Sequence, residues 1–442
     1  MKHEKFHYAS LDEVKQKAAE LGVSIPFSDN LKLLGESLAV DSHEFANRLA
    51  IQPMEGCDGK SNGAPDELTI RRYLRFAKSG AALLWFEATA ITPEARANPR
   101  QAMLTEENLD DFKRLISDVK ETCQRENGFT PVIIMQATHS GRYSKPEGKP
   151  APIIAYNNPI FEKDNPISAD RIITDDRLKE LEELYAKSAR LAELAGFDGV
   201  DVKACHRYLM SELLSAYNRP GEYGGSFENR TRLLRNSVQA VKAAVSSNMI
   251  VTSRMNIYDG FPRPYGFGAK DDGSVTPDMA EPIELVRILH EELGLNLLDF
   301  TIGNPYFNPH VNRPYDMGPY VPDEHPLEGV ARMCACITEV ASKFPKLSVV
   351  SSGNSYLRQF SPYMAAGMIE SGHAALIGYG REAFAYPEFA NDILKNGALD
   401  PKKCCIACGK CTELMRAGSK AGCVVRDGAV YMDLYKKDVL KK

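Results

Sequence analysis

Eight short β-branched runs alternate with eight longer helical patterns along this chain, and few folds accept that order. The strand patterns fall at 48–53, 82–88, 131–137, 199–203, 249–255, 297–302, 347–351 and 375–379. The helical patterns between them fall at 66–78, 106–125, 175–195, 227–244, 279–292, 324–343, 356–370 and 384–395. Strand runs separated by helices read as βα units with a parallel sheet. Eight such units close most economically into an α/β barrel of the (β/α)8 TIM type, with a doubly wound open sheet as the alternative. A barrel has a consequence for chemistry: reactive side chains should gather just beyond the C-terminal ends of the strands.

The barrel pattern fills 31–397 and leaves two flanks. Residues 1–30 hold one helical pattern, LDEVKQKAAELG, ending at Gly22, and 398–442 form a cysteine-bearing segment. The first 30 residues are polar and charged, and no run approaches the length of an apolar span, so neither a leader nor a membrane segment is expected. The net charge of −5, without blocks of one sign, argues against a nucleic-acid surface. Ten cysteines in 442 residues are too sparse for a secreted disulfide scaffold, and a reducing cytoplasm suits them.

Four of those cysteines are spaced for a purpose. Cys405, Cys408, Cys411 and Cys423 read C-x2-C-x2-C-x11-C, a triplet that can hold three corners of a [4Fe–4S] cube while a distant thiolate closes the fourth. Zinc is the competitor, although tetrahedral zinc sites favour two separated pairs; structural thiols are the third reading. Cys404 adjoins the set and is left outside it.

Polar residues collect where a barrel would place an active site. The ends of strands two to five supply Glu87, Gln136, His139, Arg142, Lys203, His206, Tyr208 and Arg254, and a packed core prefers apolar groups at such positions. Units seven and eight end in SSGNS and GYGR, where Gly353, Asn354, Ser355, Gly380 and Arg381 can offer N–H donors and a cation to a phosphate. No dinucleotide fingerprint follows a strand, and no P-loop is present. Three long inserts, 140–173, 256–277 and 303–323, are either covers for a site or surface excursions. Their aromatics Tyr258, Phe261, Tyr265, Tyr306, Phe307 and Tyr315 are candidate pocket walls or ordinary loop packing.

Together the segments 47–54 (NRLAIQPM), 136–142 (QATHSGR), 197–208 (FDGVDVKACHRY) and 223–230 (YGGSFENR) resemble the Old Yellow Enzyme family of FMN-dependent oxidoreductases. The appended cysteines look like those of its iron–sulfur subgroup, which includes 2,4-dienoyl-CoA reductase and trimethylamine dehydrogenase. The resemblance implies that Pro53, Met54 and Ala88 border the isoalloxazine, with Gln136 at its pyrimidine edge and Arg254 near N1/O2. It also implies that Gly353, Asn354, Gly380 and Arg381 surround the FMN phosphate. Lys203 and His206 then occupy the positions that grip a substrate carbonyl or carboxylate, and Tyr208 that of the proton donor. The expected reaction is hydride transfer from reduced FMN to an activated C=C bond, with Tyr208 protonating the adjacent carbon.

Three residues depart from the family pattern. Lys203 stands where histidine is common, which suits a carboxylate or thioester oxygen and disfavours a trimethylammonium substrate. Arg207 replaces a usual glycine and is expected to add substrate-binding charge. Glu55 lies beside the flavin-facing turn, where a carboxylate opposes anionic reduced flavin unless protonated or paired; facing the ring and turning outward both remain open. The expected activity is therefore reduction of an α,β-unsaturated acid, ketone or thioester, with an amine dehydrogenase or N-demethylase and an electron-transfer subunit as alternatives. About 20 residues follow Cys423, whereas long subgroup members continue into FAD- and NAD(P)-binding domains. Electrons are thus expected from a separate flavoprotein or ferredoxin, or directly from NADH or NADPH, and a homo-oligomer is allowed.

Overall fold

The computed structural model describes residues 3–441. Its ten strands are β1 (Leu38–Val40), β2 (His43–Phe45), β3 (Leu49–Ile51), β4 (Leu83–Ala90), β5 (Val132–Thr138), β6 (Gly199–Val202), β7 (Ile250–Tyr258), β8 (Leu297–Ile302), β9 (Ser348–Ser351) and β10 (Leu376–Tyr379). Strands β3 to β10 pair in parallel around a closed barrel, and β10 returns to β3 through the register Ile377 to Leu49. The eight sequence patterns are these eight strands. All residues of β4, β5, β7 and β8 are buried, as strands covered on both faces must be.

Counting α-helices of seven residues or more, α1 is Leu11–Glu20, α2 Glu67–Ala77, α3 Leu109–Asn127, α4 Asp175–Leu194, α5 Arg232–Ala244 and α6 Ala280–Arg287. They are followed by α7 (Pro326–Ala341), α8 (Ser361–Glu370), α9 (Phe389–Asn396), α10 (Lys410–Arg416) and α11 (Gly428–Asp438). Helix α3 shows why such segments fold as they do. It buries Phe112, Leu115, Ile116, Val119 and Cys123, a single stripe at helical spacing, and Gly128 ends it in the left-handed conformation at φ 80°. Each large apolar side chain withdrawn this way contributes about 1.5–3 kcal/mol. Helix α4 starts where the Thr174 side chain accepts the Arg177 N–H, and α2 starts on a capping box between Asp66 and Thr69.

The β1–β2 hairpin has no counterpart in the sequence patterns, because its strands are only three residues each. It closes the N-terminal end of the barrel. Val40 and Phe45 pack against Leu83, Trp85, Ile134, Ile250, Leu297 and Leu376 from the strands above. The open end is therefore the C-terminal one. The N-terminal segment is likewise laid onto the barrel, with Phe6 against Tyr356 and Phe360 and Ser28 N–H donating to Tyr363 O. Among the described residues no helix is long and apolar enough to cross a membrane.

One irregularity shapes the open end. The β4–β5 ladder skips from Phe86 opposite Met135 to Ala88 opposite Gln136, leaving Glu87 as an extra residue. Such a bulge re-aims the side chains around it. Glu87 turns outward to α2, while Ala88 and Gln136 both face the interior cavity.

Candidate active site

A cavity opens at the C-terminal end of the barrel. Of the residues singled out from the sequence, Pro53, Met54, Glu55, Ala88, Gln136, Lys203, His206, Tyr208, Arg254, Gly353, Gly380 and Arg381 all line it. Asn354 does not line it but adjoins Gly353, and both polar atoms of its buried side chain lack a protein partner.

The turn after β3 is held from beneath. Arg72 on α2 donates to Met54 O at 3.2 Å and to Asp58 and Glu87 at 2.7 Å each, and Glu87 accepts the Gly56 N–H at 3.0 Å. Burial pushes the Glu87 carboxyl up to about 7 despite Arg72. One guanidinium thus fixes a backbone whose side chains face the cavity. The barrel interior supplies a second support. Asp201 on β6 accepts from Trp85 Nε1 at 2.9 Å, Gln136 Nε2 at 2.7 Å and Arg254 N at 2.7 Å. Arg254 Nε lies 3.0 Å from Asp299 Oδ2, though its N–H is not aligned on the oxygen, and burial raises Asp299 to about 7.

Lys203, His206 and Tyr208 follow β6. His206 and Arg207 both take positive φ, 64° and 58°, a conformation that costs a non-glycine residue about 1–2 kcal/mol. It carries the chain over the cavity. The Lys203 ammonium sits 3.8 Å above the Tyr208 ring, and burial lowers its pKa. Burial, with Arg254, Lys203 and Arg381 nearby, holds His206 well below its ordinary value and so neutral. The Tyr208 hydroxyl donates to Glu55 Oε1 at 3.1 Å and shares a 2.8 Å hydrogen bond with the Tyr306 hydroxyl. Tyr306 in turn stacks on Tyr143, centroids 3.9 Å apart.

Several sequence expectations are corrected by this geometry. Arg207 adds no charge to the cavity: its side chain is fully buried and paired with Asp259 at 3.1 Å and with Ser215. Glu87 belongs to the Arg72 network. His139 lies outside the cavity, its Nδ1 accepting from Gly141 N, with burial lowering its pKa to about 4. Arg142 is paired with Glu162 and Glu212. Of the six loop aromatics only Tyr306 lines the cavity; Phe261 and Phe307 pack with Phe161 behind it.

The structure adds residues that the motifs passed over. Gln52, Thr301, Asn312 and Arg313 line the cavity, and Asn312 Nδ2 is 3.3 Å from His206 Nε2. Arg313 donates to Ala407 O, and burial beside Arg381 lowers its pKa to about 10. Loop length was the only signal for Asn312 and Arg313. Gln52 was legible from its place beside Pro53, and both of its side-chain polar atoms are buried without a partner.

These features form a test for FMN. The amides of Gln52 and Asn354 and the Arg381 Nε are buried polar groups without protein partners, the condition a polar ligand relieves. A Cβ on Gly378 would overlap the Gln52 amide, and one on Gly380 would press on Met54. The residues present therefore fit a flavin.

A second, smaller cavity lies beside the first, and Cys405, Cys408, Cys411 and Cys423 all line it. Cys404 does not; its thiol is buried against Asp400 O. Among the described residues no three His, Cys, Asp or Glu side chains converge on one ion position; the four thiols wall a space instead. Ala407 N–H donates to Cys405 Sγ at 3.4 Å and Arg426 N–H to Cys423 Sγ at 3.3 Å. Cys411, Arg381 and Phe384 line both cavities.

Comparison with known proteins agrees with this architecture. The NADPH dehydrogenase of Clostridium acetobutylicum is 27% identical over 227 residues, covering 51% of this chain and 64% of the relative. The cinnamate reductase of Clostridium sporogenes is 27% identical over 395 residues, covering 86% of this chain and 55% of the relative. A 2-naphthoyl-CoA reductase complexed with 2-naphthoyl-CoA shares the fold with a TM-score of 0.72 at 18% identity, over 89% of this chain and 57% of that one. The chain thus spans between half and two thirds of the length of these proteins. Residues 34–280, more than half of the sequence, match the family model directly, and the chain belongs to the NADH:flavin oxidoreductase / NADH oxidase family.

Proposed function

We propose that this protein is an FMN-dependent reductase of the activated C=C bond of an α,β-unsaturated acid, ketone or thioester. The observation that carries the reading is the grouping of Lys203, neutral His206 and Tyr208 in the cavity at the C-terminal end of the barrel. When bound, FMN supplies the hydride. Lys203 and His206 bind the carbonyl or carboxylate oxygen, one as a cation and one as a hydrogen-bonding group, and draw electron density from the alkene. Tyr208 holds the proton for the second carbon. Arg254 would hold the pyrimidine end of the flavin and supply a positive charge there. The name of the cinnamate reductase relative supports an unsaturated acid as the substrate class.

The four cysteines support a [4Fe–4S] cluster as a one-electron relay, since thiolates around a space and backbone N–H groups aimed at sulfur are the donor set such clusters use. The proposed electron donor is a separate flavoprotein or ferredoxin, with NADH or NADPH as the direct alternative. In the test, anaerobically reduced enzyme is mixed with enoates and enones and flavin absorbance is followed. Reoxidation by an enoate or enone is expected. Bleaching of the oxidised flavin by methylated amines, with no reoxidation by any alkene, would sink the reading in favour of amine dehydrogenation.

A further inference from the structure

Tyr208 is screened from solvent. Its side chain is 2% exposed, Lys203 covers one ring face, and its hydroxyl meets two protein oxygens, those of Glu55 and Tyr306. Both of those residues are half-buried. A tyrosine that gives its proton to carbon must take another before it can act again, and here the proton arrives through one of two neighbours. Tyr306 is a phenol whose burial pushes its pKa well up, so it is a poor acid. A carboxyl group is a far better one.

We propose that Glu55 is the proton source behind Tyr208, its carboxyl group returning a proton to the phenol after each transfer to carbon. The proposal rests on the alkene-reductase reading and adds to it a residue that acts through Tyr208. The steps balance. An alkene that has taken a hydride from reduced flavin at its β carbon has an electron pair at its α carbon. The Tyr208 O–H bond breaks as the α C–H bond forms, leaving a phenolate. The Glu55 O–H bond then breaks as the phenol reforms, and the carboxylate takes a proton from solvent at the half-buried side of the cavity.

The surroundings of Glu55 fit this duty. It faces Lys203 from the end of β6, Arg72 from α2, Tyr208 and Tyr306 from the loops, and Cys57 on its own turn. Burial raises its pKa, and Lys203, the Tyr208 hydrogen bond and Arg72 offset only part of that. While Glu55 is protonated, its O–H and that of Tyr306 can both point at the Tyr208 oxygen and stabilise the forming phenolate. Once ionised, it holds the Tyr208 hydrogen and sets a negative charge 3.1 Å away, which opposes phenolate formation. Alkene reduction is therefore fast at low pH and falls as pH rises through the Glu55 pKa.

The test compares reduced wild type, E55Q, E55D and Y208F by anaerobic stopped flow. The acceptors are cyclohexenone and a benzoquinone, whose reduction needs no proton delivered to carbon. In E55Q the ratio of the enone rate to the quinone rate should drop by about tenfold or more, less than the roughly 10²–10⁴-fold of a direct general acid because Glu55 acts through Tyr208, and lose its fall at high pH. E55D should recover part of the ratio with a displaced pH profile. An unchanged ratio and pH profile in E55Q would assign the proton to Tyr306 or solvent and overturn the proposal, as would equal slowing with both acceptors. Two readouts need no alkene, so they separate this proposal from the reading beneath it. The infrared difference between wild type and E55Q should contain a protonated carboxyl band that persists to higher pH than that of an ordinary carboxylic acid. Ultraviolet titration referenced to Y208F should show Tyr208 ionising at lower pH in E55Q. Absence of both signals overturns the relay even if enones are reduced.

Discussion

Arg207 and Tyr208 are adjacent in sequence and opposite in fate. The phenol faces the cavity, whereas the guanidinium runs back into the protein to Asp259, which also accepts from Asn256 Nδ2 at 2.8 Å and Phe267 N at 3.0 Å. The left-handed φ of Arg207 explains why a glycine suits this position, and the buried ion pair is what holds an arginine there. Replacing Arg207 with Met leaves Asp259 charged without its partner, so a loss of about 3 kcal/mol or more is expected in denaturant unfolding. The KM for an anionic substrate should change little, which separates this role from substrate binding. Tyr208→Phe should slow reoxidation by an alkene by about 10²-fold or more while slowing flavin reduction by the donor far less. Equal slowing of both half-reactions would remove Tyr208 from the proton-donor role. At this scale the sequence was most legible where chemistry and strand position coincide, as at Gln136, Lys203 and Arg254. It was least legible where only the φ angle decides which way a side chain turns, as at Arg207.

At the level of elements, the period of the βα units announced all eight barrel strands, because each strand is a buried β-branched run and each helix an amphipathic one. The β1–β2 hairpin stayed hidden since three-residue strands have no period to read. The bulge at Glu87 was hidden for a related reason: it changes the facing of residues without changing their hydrophobicity. Helix α11 shows a third kind of silence. Its docking depends on Asp427, just before its first turn, which binds Arg71 at 2.7 and 2.9 Å and Arg75 at 2.5 Å on α2, residues more than three hundred positions away. Asp427→Asn should loosen this junction, read as faster hydrogen exchange across α10 and α11 with the barrel strands unaffected. If 398–441 exchanges no faster than in wild type, the clamp does not hold the segment.

For the whole molecule, the two cavities set the composition to be measured. Purified under argon, the protein is expected to contain about one FMN and about four iron and four acid-labile sulfide per chain, the content of one cubane cluster. Cys411→Ser should abolish the iron while Cys404→Ser retains it. One zinc per chain would replace the cluster with a tetrahedral site.

The cysteine-bearing segment also builds part of the wall of the larger cavity. Cys411, Thr412, Met415 and Ala421 line it, and Ala421 N–H donates to Gly56 O at 2.6 Å, on the same turn that Arg72 supports. A barrel ending at residue 397 would therefore have an open flank beside the β3 turn and would lose one of that turn's tethers. The segment is thus part of the pocket's enclosure and not a detachable module: removing it would take away wall and tether together.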